Sequence, residues 1–191
     1  MMTIVQGVLL APGAGSDRSS PTLVALEDAL APLPVRRMDF PYRKAGRRAP
    51  DRAPVLLRAV REEAEAFAAE LGCDPAGLAL GGRSMGGRMC SMAVAEGLPA
   101  AGLVLISYPL HPPGKPEKLR TDHLAALRCP CLFVSGDRDP FGSPAELEAA
   151  CALVPGPVTT RWVEGGRHDL GRVGDLAQIV AAVKEWLAGM G

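Results

Sequence analysis

One pentapeptide in this chain has the residue types and spacing for nucleophilic chemistry: Gly82-Arg83-Ser84-Met85-Gly86. It fits the G-x-S-x-G pattern of a nucleophile elbow. A serine hydroxyl is a weak nucleophile and needs a base within hydrogen-bond reach. It must also stand clear of the backbone, which a sharp turn from strand into helix achieves. Such a turn strains the serine, and glycines without a Cβ let strand and helix come close together. The following helix points unpaired N–H groups at any anion that develops there. A chain with eight serines and 22 glycines in 191 residues would hold about 0.1 such pentapeptides by chance. A further glycine, Gly87, and the flanking elements strengthen the match.

Those elements come next. Residues 77–80 are apolar and bounded by glycine, as in a buried parallel strand. Residues 85–96 lack proline and are rich in Met and Ala, which predicts a helix. The base for Ser84 must come from three histidines, His111, His123 and His168.

The rest of the chain alternates between strand and helix patterns. A strand is expected over 4–10, then a flexible turn over 11–15. Ser20 and Pro21 open a helix as N-cap and first residue, with Leu23, Leu26 and Leu30 on its apolar face. A second strand over 35–40 carries the Pro34, Arg36 and Arg37 of an exposed sheet edge. A basic loop follows, with Arg43, Lys44, Arg47, Arg48 and Arg52. A helix over 53–71 shows the stripe Leu57, Val60, Ala64, Phe67 and Leu71, and Gly72 ends it.

After the elbow helix, a strand over 102–107 leads into a proline-rich loop over 108–118 and a short helix near 121–127. A fifth strand over 131–135 runs into Gly136-Asp137-Arg138-Asp139-Pro140. Ser143 and Glu146 form a capping box that opens a helix to about 154. A sixth strand over 158–163 ends in Gly165-Gly166-Arg167-His168-Asp169. A last helix spans about 175–188. This alternation implies a parallel sheet covered by helices on both faces. The working crevice of such a sheet lies at the carboxyl ends of its strands, where strand order reverses. The loops after the third, fifth and sixth strands carry the unusual polar residues.

Composition narrows the function classes. A length of 191 residues fits one domain, 1–191, able to bury about 70% of its unfolded surface. Hydrophobic residues make up 48% and net charge is zero, so no dedicated nucleic-acid surface is expected. Aromatics are only 4%, too few for base-stacking platforms. The five cysteines (Cys73, Cys90, Cys129, Cys131, Cys151) read as reduced thiols of a cytoplasmic protein. Cys129-Pro130-Cys131 has no second ligand pair, so no metal site is expected. The first residues lack an early Lys or Arg and read as no signal peptide. The uncharged stretch 97–114 holds four prolines, so it is not read as a membrane-spanning helix.

Six motifs, in order, carry a family resemblance: PGAG at 12–15, FPY at 40–42, GGRSMGGR at 81–88, YPLHPPGKPEKLR at 108–120, GDRDPFG at 136–142 and GGRHDL at 165–170. The chain resembles a minimal α/β-hydrolase of the dienelactone-hydrolase-like group. It looks closest to the small hydrolase-like family of testis-expressed proteins and a histone-acetyltransferase-complex subunit. The resemblance implies six strands in the order 2-1-3-4-5-6, with no lid domain and no opening antiparallel strands. The switch point then lies between the first and third strands, where Ala14 and Ser84 meet. Many relatives have His-Gly where this chain has Pro12-Gly13. Dienelactone hydrolases proper carry cysteine at the elbow, so lactone specificity does not transfer.

Roles follow from chemistry and chain order. This fold places its triad as serine, acid, histidine, and only His168 follows an acidic loop after the fifth strand. The acid is Asp139 or Asp137. The resemblance favours Asp139, three residues beyond Gly136, while Asp137 reads as a turn former. Asp169 reads as a cap for the next segment. The oxyanion donors are the N–H groups of Met85 and Ala14. Weaker substrate-binding candidates are Arg83, which either contacts a carboxylate or is simply solvated, and His111 in the loop after the fourth strand, for which packing among the prolines is the favoured alternative. Phe40 and Tyr42 are candidate pocket walls, with plain packing as the alternative. The basic loop over 43–52 is a candidate for steering anions, or simply a solvated face. The expected activity is a serine hydrolase acting on a small-acyl ester or thioester, with no cofactor and a small-molecule ester as partner. A catalytically silent hydrolase-like interaction domain is the alternative.

Overall fold

The computed structural model describes residues 4–190, so residues 1–3 and 191 of the expected domain lie outside the described residues. Six strands form one sheet: β1 (Gly7–Ala11), β2 (Val35–Arg37), β3 (Leu78–Arg83), β4 (Gly102–Ile106), β5 (Cys131–Gly136) and β6 (Val158–Val163). Their order is β2-β1-β3-β4-β5-β6 and every pairing is parallel, as expected. The helices are α1 (Pro21–Leu30), α2 (Pro41–Lys44), α3 (Ala53–Leu71), α4 (Met85–Ala95), α5 (Pro144–Cys151) and α6 (Val173–Ala188).

The strands are apolar without alternation because both faces are covered. Successive side chains point to opposite faces. Val8 and Leu10 of β1, with Val104 and Ile106 of β4, pack into one core beside α1 and α6. Leu9, Leu80, Leu105 and Phe133 pack into the other, beneath α3 and α4. Each of these strand side chains is at most 1% exposed.

Several boundaries differ from the sequence reading. Strand β1 starts at Gly7 rather than residue 4, because its pairing with β3 begins at Gly7 opposite Leu78. Strand β2 stops at Arg37 rather than residue 40. Beyond it the Asp39 carboxylate accepts the Arg18 N–H (2.8 Å), and Pro41 starts the short α2 within the basic loop. The helix expected over 121–127 is a single 3-10 turn, Leu124–Ala126. Leu124 and Leu127 are three apart and both fully buried, and three residues per turn stack them on one side. Ser20 occupies the N-cap of α1 with Pro21 after it, but its side chain makes no capping bond. The capping box at Ser143 and Glu146 is present. Helix α6 begins two residues earlier than expected, with Arg172 and not Asp169 at its N-cap.

Candidate active site

The elbow joins β3 to α4. Ser84 sits at φ 51°, ψ −118°, a positive φ that non-glycine residues rarely adopt. Holding it there costs about 1–3 kcal/mol, which the surrounding packing must supply. The Ser84 N–H donates to the Ile106 carbonyl of β4 at 2.8 Å. Gly82 has φ +146°, and a Cβ on it would lie 2.0 Å from the Ala11 carbonyl oxygen. A Cβ on Gly86 would lie 2.1 Å from that same oxygen. The end of β1, the elbow and the first turn of α4 therefore meet at a distance that only glycine permits.

Three side chains from three loops join in one hydrogen-bonded row. Ser84 Oγ lies 2.8 Å from His168 Nε2. His168 Nδ1 lies 2.8 and 3.0 Å from the two carboxylate oxygens of Asp139. The Asp139 side chain is 2% exposed, and it also accepts the Phe141 N–H at 2.8 Å. Asp137, the open alternative, makes no contact with His168 among the described hydrogen bonds. Its N–H pairs with the Val163 carbonyl at 3.3 Å, and its buried Oδ1 has no partner.

Phe141, which the sequence reading did not single out, and Arg83, which it offered only as a substrate contact, fix His168 in place. The Phe141 ring stacks on the imidazole, with centroids 3.8 Å apart and planes 22° from parallel. Arg83 runs under the histidine loop and donates from Nη2 to the His168 carbonyl at 2.9 Å. Burial pushes the Arg83 guanidinium pKa down, and Asp169 and Asp139 partly restore it.

Ala14 lies in the turn after β1 and Met85 is the first residue of α4, whose first-turn N–H groups have no intrahelical acceptor. The Tyr42 hydroxyl donates to the Ala14 carbonyl at 2.9 Å. Burial raises the Tyr42 pKa, so it remains a donor. An open crevice of about 450 Å³ lies over Ser84. Ala14, Met85, His168 and Phe141 line it, together with Arg83, Arg88 and Arg120.

The weaker candidates divide. Arg83 lines the crevice, but Phe40 and Tyr42 do not wall it. Both are fully buried and stack on each other with centroids 6.3 Å apart, because the turn into α2 folds their rings into the core. The Tyr42 hydroxyl reaches the crevice rim at the Ala14 carbonyl. His111 is 5% exposed and outside the crevice lining. Its Nδ1 contacts the Pro112 carbonyl at 2.9 Å, and its N–H donates to the Phe141 carbonyl at 3.0 Å, tying the proline-rich loop to the acid loop. The basic loop is largely neutralised: Arg43 pairs with Asp17 (3.1 Å), Lys44 with Glu63 (3.4 Å) and Arg47 with Asp51 (2.7 Å). The sequence reading missed Phe141, Arg88 and Arg120, although all three lie inside motifs it quoted.

A parallel 2-1-3-4-5-6 sheet with a serine elbow at its switch point is the architecture of an alpha/beta hydrolase. The profile of the alpha/beta hydrolase domain family matches residues 5–178, and the chain belongs to that family. Solved structures with the same fold include a dienelactone hydrolase from Anabaena variabilis: TM-score 0.74, 18% identity, 96% of this chain and 86% of that one. An esterase from Thermogutta terrifontis aligns with TM-score 0.72 and 21% identity over 96% and 90% of the two chains. The type II thioesterase BorB of the borrelidin biosynthetic cluster aligns with TM-score 0.69 and 19% identity over 95% and 92%. Among the described residues no helix is long and apolar enough to cross a membrane. Nor do three or more His, Cys, Asp or Glu side chains converge there as for a metal ion.

Proposed function

We propose that this protein is a serine hydrolase of small-acyl esters or thioesters. The reading rests on one observation above all, the unbroken row from Ser84 Oγ through His168 to the buried Asp139 carboxylate. Asp139 holds the proton of His168 on Nδ1, leaving Nε2 free to accept from Ser84. The Ser84 oxygen then attacks the acyl carbonyl while its proton passes to Nε2. The carbonyl oxygen becomes an oxyanion beside the N–H groups of Met85 and Ala14. The tetrahedral intermediate collapses, His168 gives its proton to the leaving alkoxide or thiolate, and an acyl-serine remains. Water, deprotonated by His168, releases the acid by the same steps.

Family membership supports hydrolysis in general, and the fold is shared with an esterase and a thioesterase. The narrower kinship with the small testis-expressed group rests on the six sequence motifs. Within this reading the chain works as one domain, without a cofactor, on an ester free in solution. Labelling the protein with a fluorophosphonate tests the proposal. An adduct on Ser84 that vanishes in Ser84→Ala is expected, with turnover lowered by up to about a million-fold. Absence of any adduct, or an adduct on another serine, refutes catalysis and favours a silent interaction domain.

A further inference from the structure

The crevice over Ser84 is lined by cations that have no counter-ion. Arg36, Arg37, Arg43, Arg47, Arg61, Arg161 and Arg172, all away from the crevice, each lie within 4.0 Å of a carboxylate. Several other arginines among the described residues have no such partner, but of these only Arg83, Arg88 and Arg120 line the crevice, whose lining holds no Asp or Glu. Arg83 already gives Nη2 to the His168 carbonyl and feels the charges of Asp169 and Asp139. Arg120 gives Nη1 to the Pro109 carbonyl, but neither it nor Arg88 pairs with a carboxylate.

Their placement is built rather than incidental. Arg88 follows Ser84 by four residues, so it lies one turn along α4 on the same face. Its Nε is buried and has no hydrogen-bond partner, although an unmet buried charged donor is costly. Arg120 is anchored at three points. Its N–H donates to the Leu110 carbonyl (2.8 Å), its carbonyl accepts the Tyr108 hydroxyl (2.7 Å), and Nη1 reaches the Pro109 carbonyl (3.3 Å). Burial and the Arg88 charge both push the Arg120 pKa down, so the two guanidinium groups oppose each other. An anion between them would relieve the repulsion. Guanidinium forks match carboxylate and phosphate oxygens in pairs.

We propose that Arg88 and Arg120 form an oxyanion subsite, so that the preferred ester carries a carboxylate or phosphate group close to its scissile carbonyl. This rests on the hydrolase reading, but the subsite itself can be tested without turnover. The probes are monomethyl succinate and monomethyl phosphate, with methyl butyrate as the neutral control, titrated at low salt into the Ser84→Ala protein. Calorimetry and the Arg88 Nε–H resonance are the readouts. At least one anion is expected to bind and shift that resonance, with no response to methyl butyrate. Whichever anion binds tighter identifies the group. Arg88→Gln and Arg120→Gln should each weaken binding about ten-fold or more. In the unmodified protein, p-nitrophenyl hemisuccinate should then exceed p-nitrophenyl butyrate in kcat/KM, if succinate is the binder. Should Arg88→Gln fail to fold, Arg120→Gln and the resonance in the Ser84→Ala protein decide. Equal response to anion and neutral control overturns the subsite, as does unchanged affinity in folded variants. Anion binding without Ser84 labelling retains the subsite and refutes the hydrolase; labelling without anion binding does the reverse.

Discussion

His168 is held from four directions: by Ser84, by Asp139, by the Phe141 ring and by Arg83 at its carbonyl. An imidazole so confined has one orientation, and its tautomer depends on a single carboxylate. Asp139→Asn is therefore expected to leave the fold intact and lower kcat by roughly ten-thousand-fold, through the wrong tautomer. Asp137→Asn should cost far less, since Asp137 has no bond to His168. Steady-state kinetics on the two variants compares them directly, and a reversed ranking would sink the assignment. Tyr42→Phe removes one hydrogen bond to the loop that carries Ala14. The loss of about 1 kcal/mol of positioning should lower kcat roughly five-fold with little change in KM. An unchanged kcat would mean that the Ala14 loop holds itself.

At the scale of elements, the elbow is the joint where packing and chemistry meet. Gly86→Ala would drive a Cβ against the Ala11 and Pro12 carbonyl oxygens, at 2.1 and 2.6 Å. Backbone atoms cannot swing aside, so a loss of about 3 kcal/mol or more in unfolding free energy is expected, read from urea denaturation. Wild-type stability would show that β1 can shift away from α4. The turn that replaces the expected helix after the proline-rich loop carries a second testable group. His123 Nε2 lies 2.8 Å from the fully buried Ser91 hydroxyl on α4. Burial and the Arg88 charge lower the His123 pKa from 6.5 to about 4, against weaker help from Asp122 and Glu96. The folded protein thus keeps His123 neutral where the unfolded chain is already protonated. Stability from this group is present above pH 6.5 and falls as pH drops towards about 4. His123→Gln should flatten that part of the stability profile in pH-resolved thermal melts. An unaltered slope would assign the acid sensitivity to other groups.

For the molecule as a whole, the site is open. The segment between β4 and the 3-10 turn, residues 107–123, contains no helix that could roof the crevice. A long acyl chain would leave most of its methylenes in water. Each methylene gains about 0.8 kcal/mol only when buried, so the benefit should stop after a few carbons. Specificity across p-nitrophenyl esters is expected to peak from acetyl to butyryl and to fall beyond about eight carbons. An optimum at dodecanoyl or longer would contradict an open site. The basic loop lies outside the crevice lining and pairs Arg43, Lys44 and Arg47 with carboxylates, so Arg47→Gln should leave turnover unchanged at low and high salt. A salt-dependent loss in that variant would restore a steering role to the loop.

The local patterns of the chain determined its layers and its crevice end. Apolar runs bounded by glycine and proline specify strands, helical stripes specify which faces are covered, and the alternation forces parallel pairing. The elbow was legible for the same reason, because only glycine fits beside Ser84 and the spacing records that need. Residues whose role depends on contacts distant in sequence were not legible. The family resemblance favoured Asp139 over Asp137, but it is the path of the β5 loop that brings the Asp139 carboxylate to His168. Tyr42 and His111 carry the same polar groups whether they face a substrate or the protein interior. The chain's tertiary path turned both inward, Tyr42 to bond the Ala14 carbonyl and His111 to sit beside the acid loop, where its backbone N–H donates to the Phe141 carbonyl. The basic run was plain in the sequence, but its neutralisation was not, since Asp17 and Glu63 come from other elements. Conversely Arg88 and Arg120, 32 residues apart, share one crevice without a carboxylate because β4 and the proline-rich loop return the chain to the top of α4. Short-range spacing encodes elements, while charge pairing and side-chain direction arise only when the folded chain brings distant groups within hydrogen-bond reach.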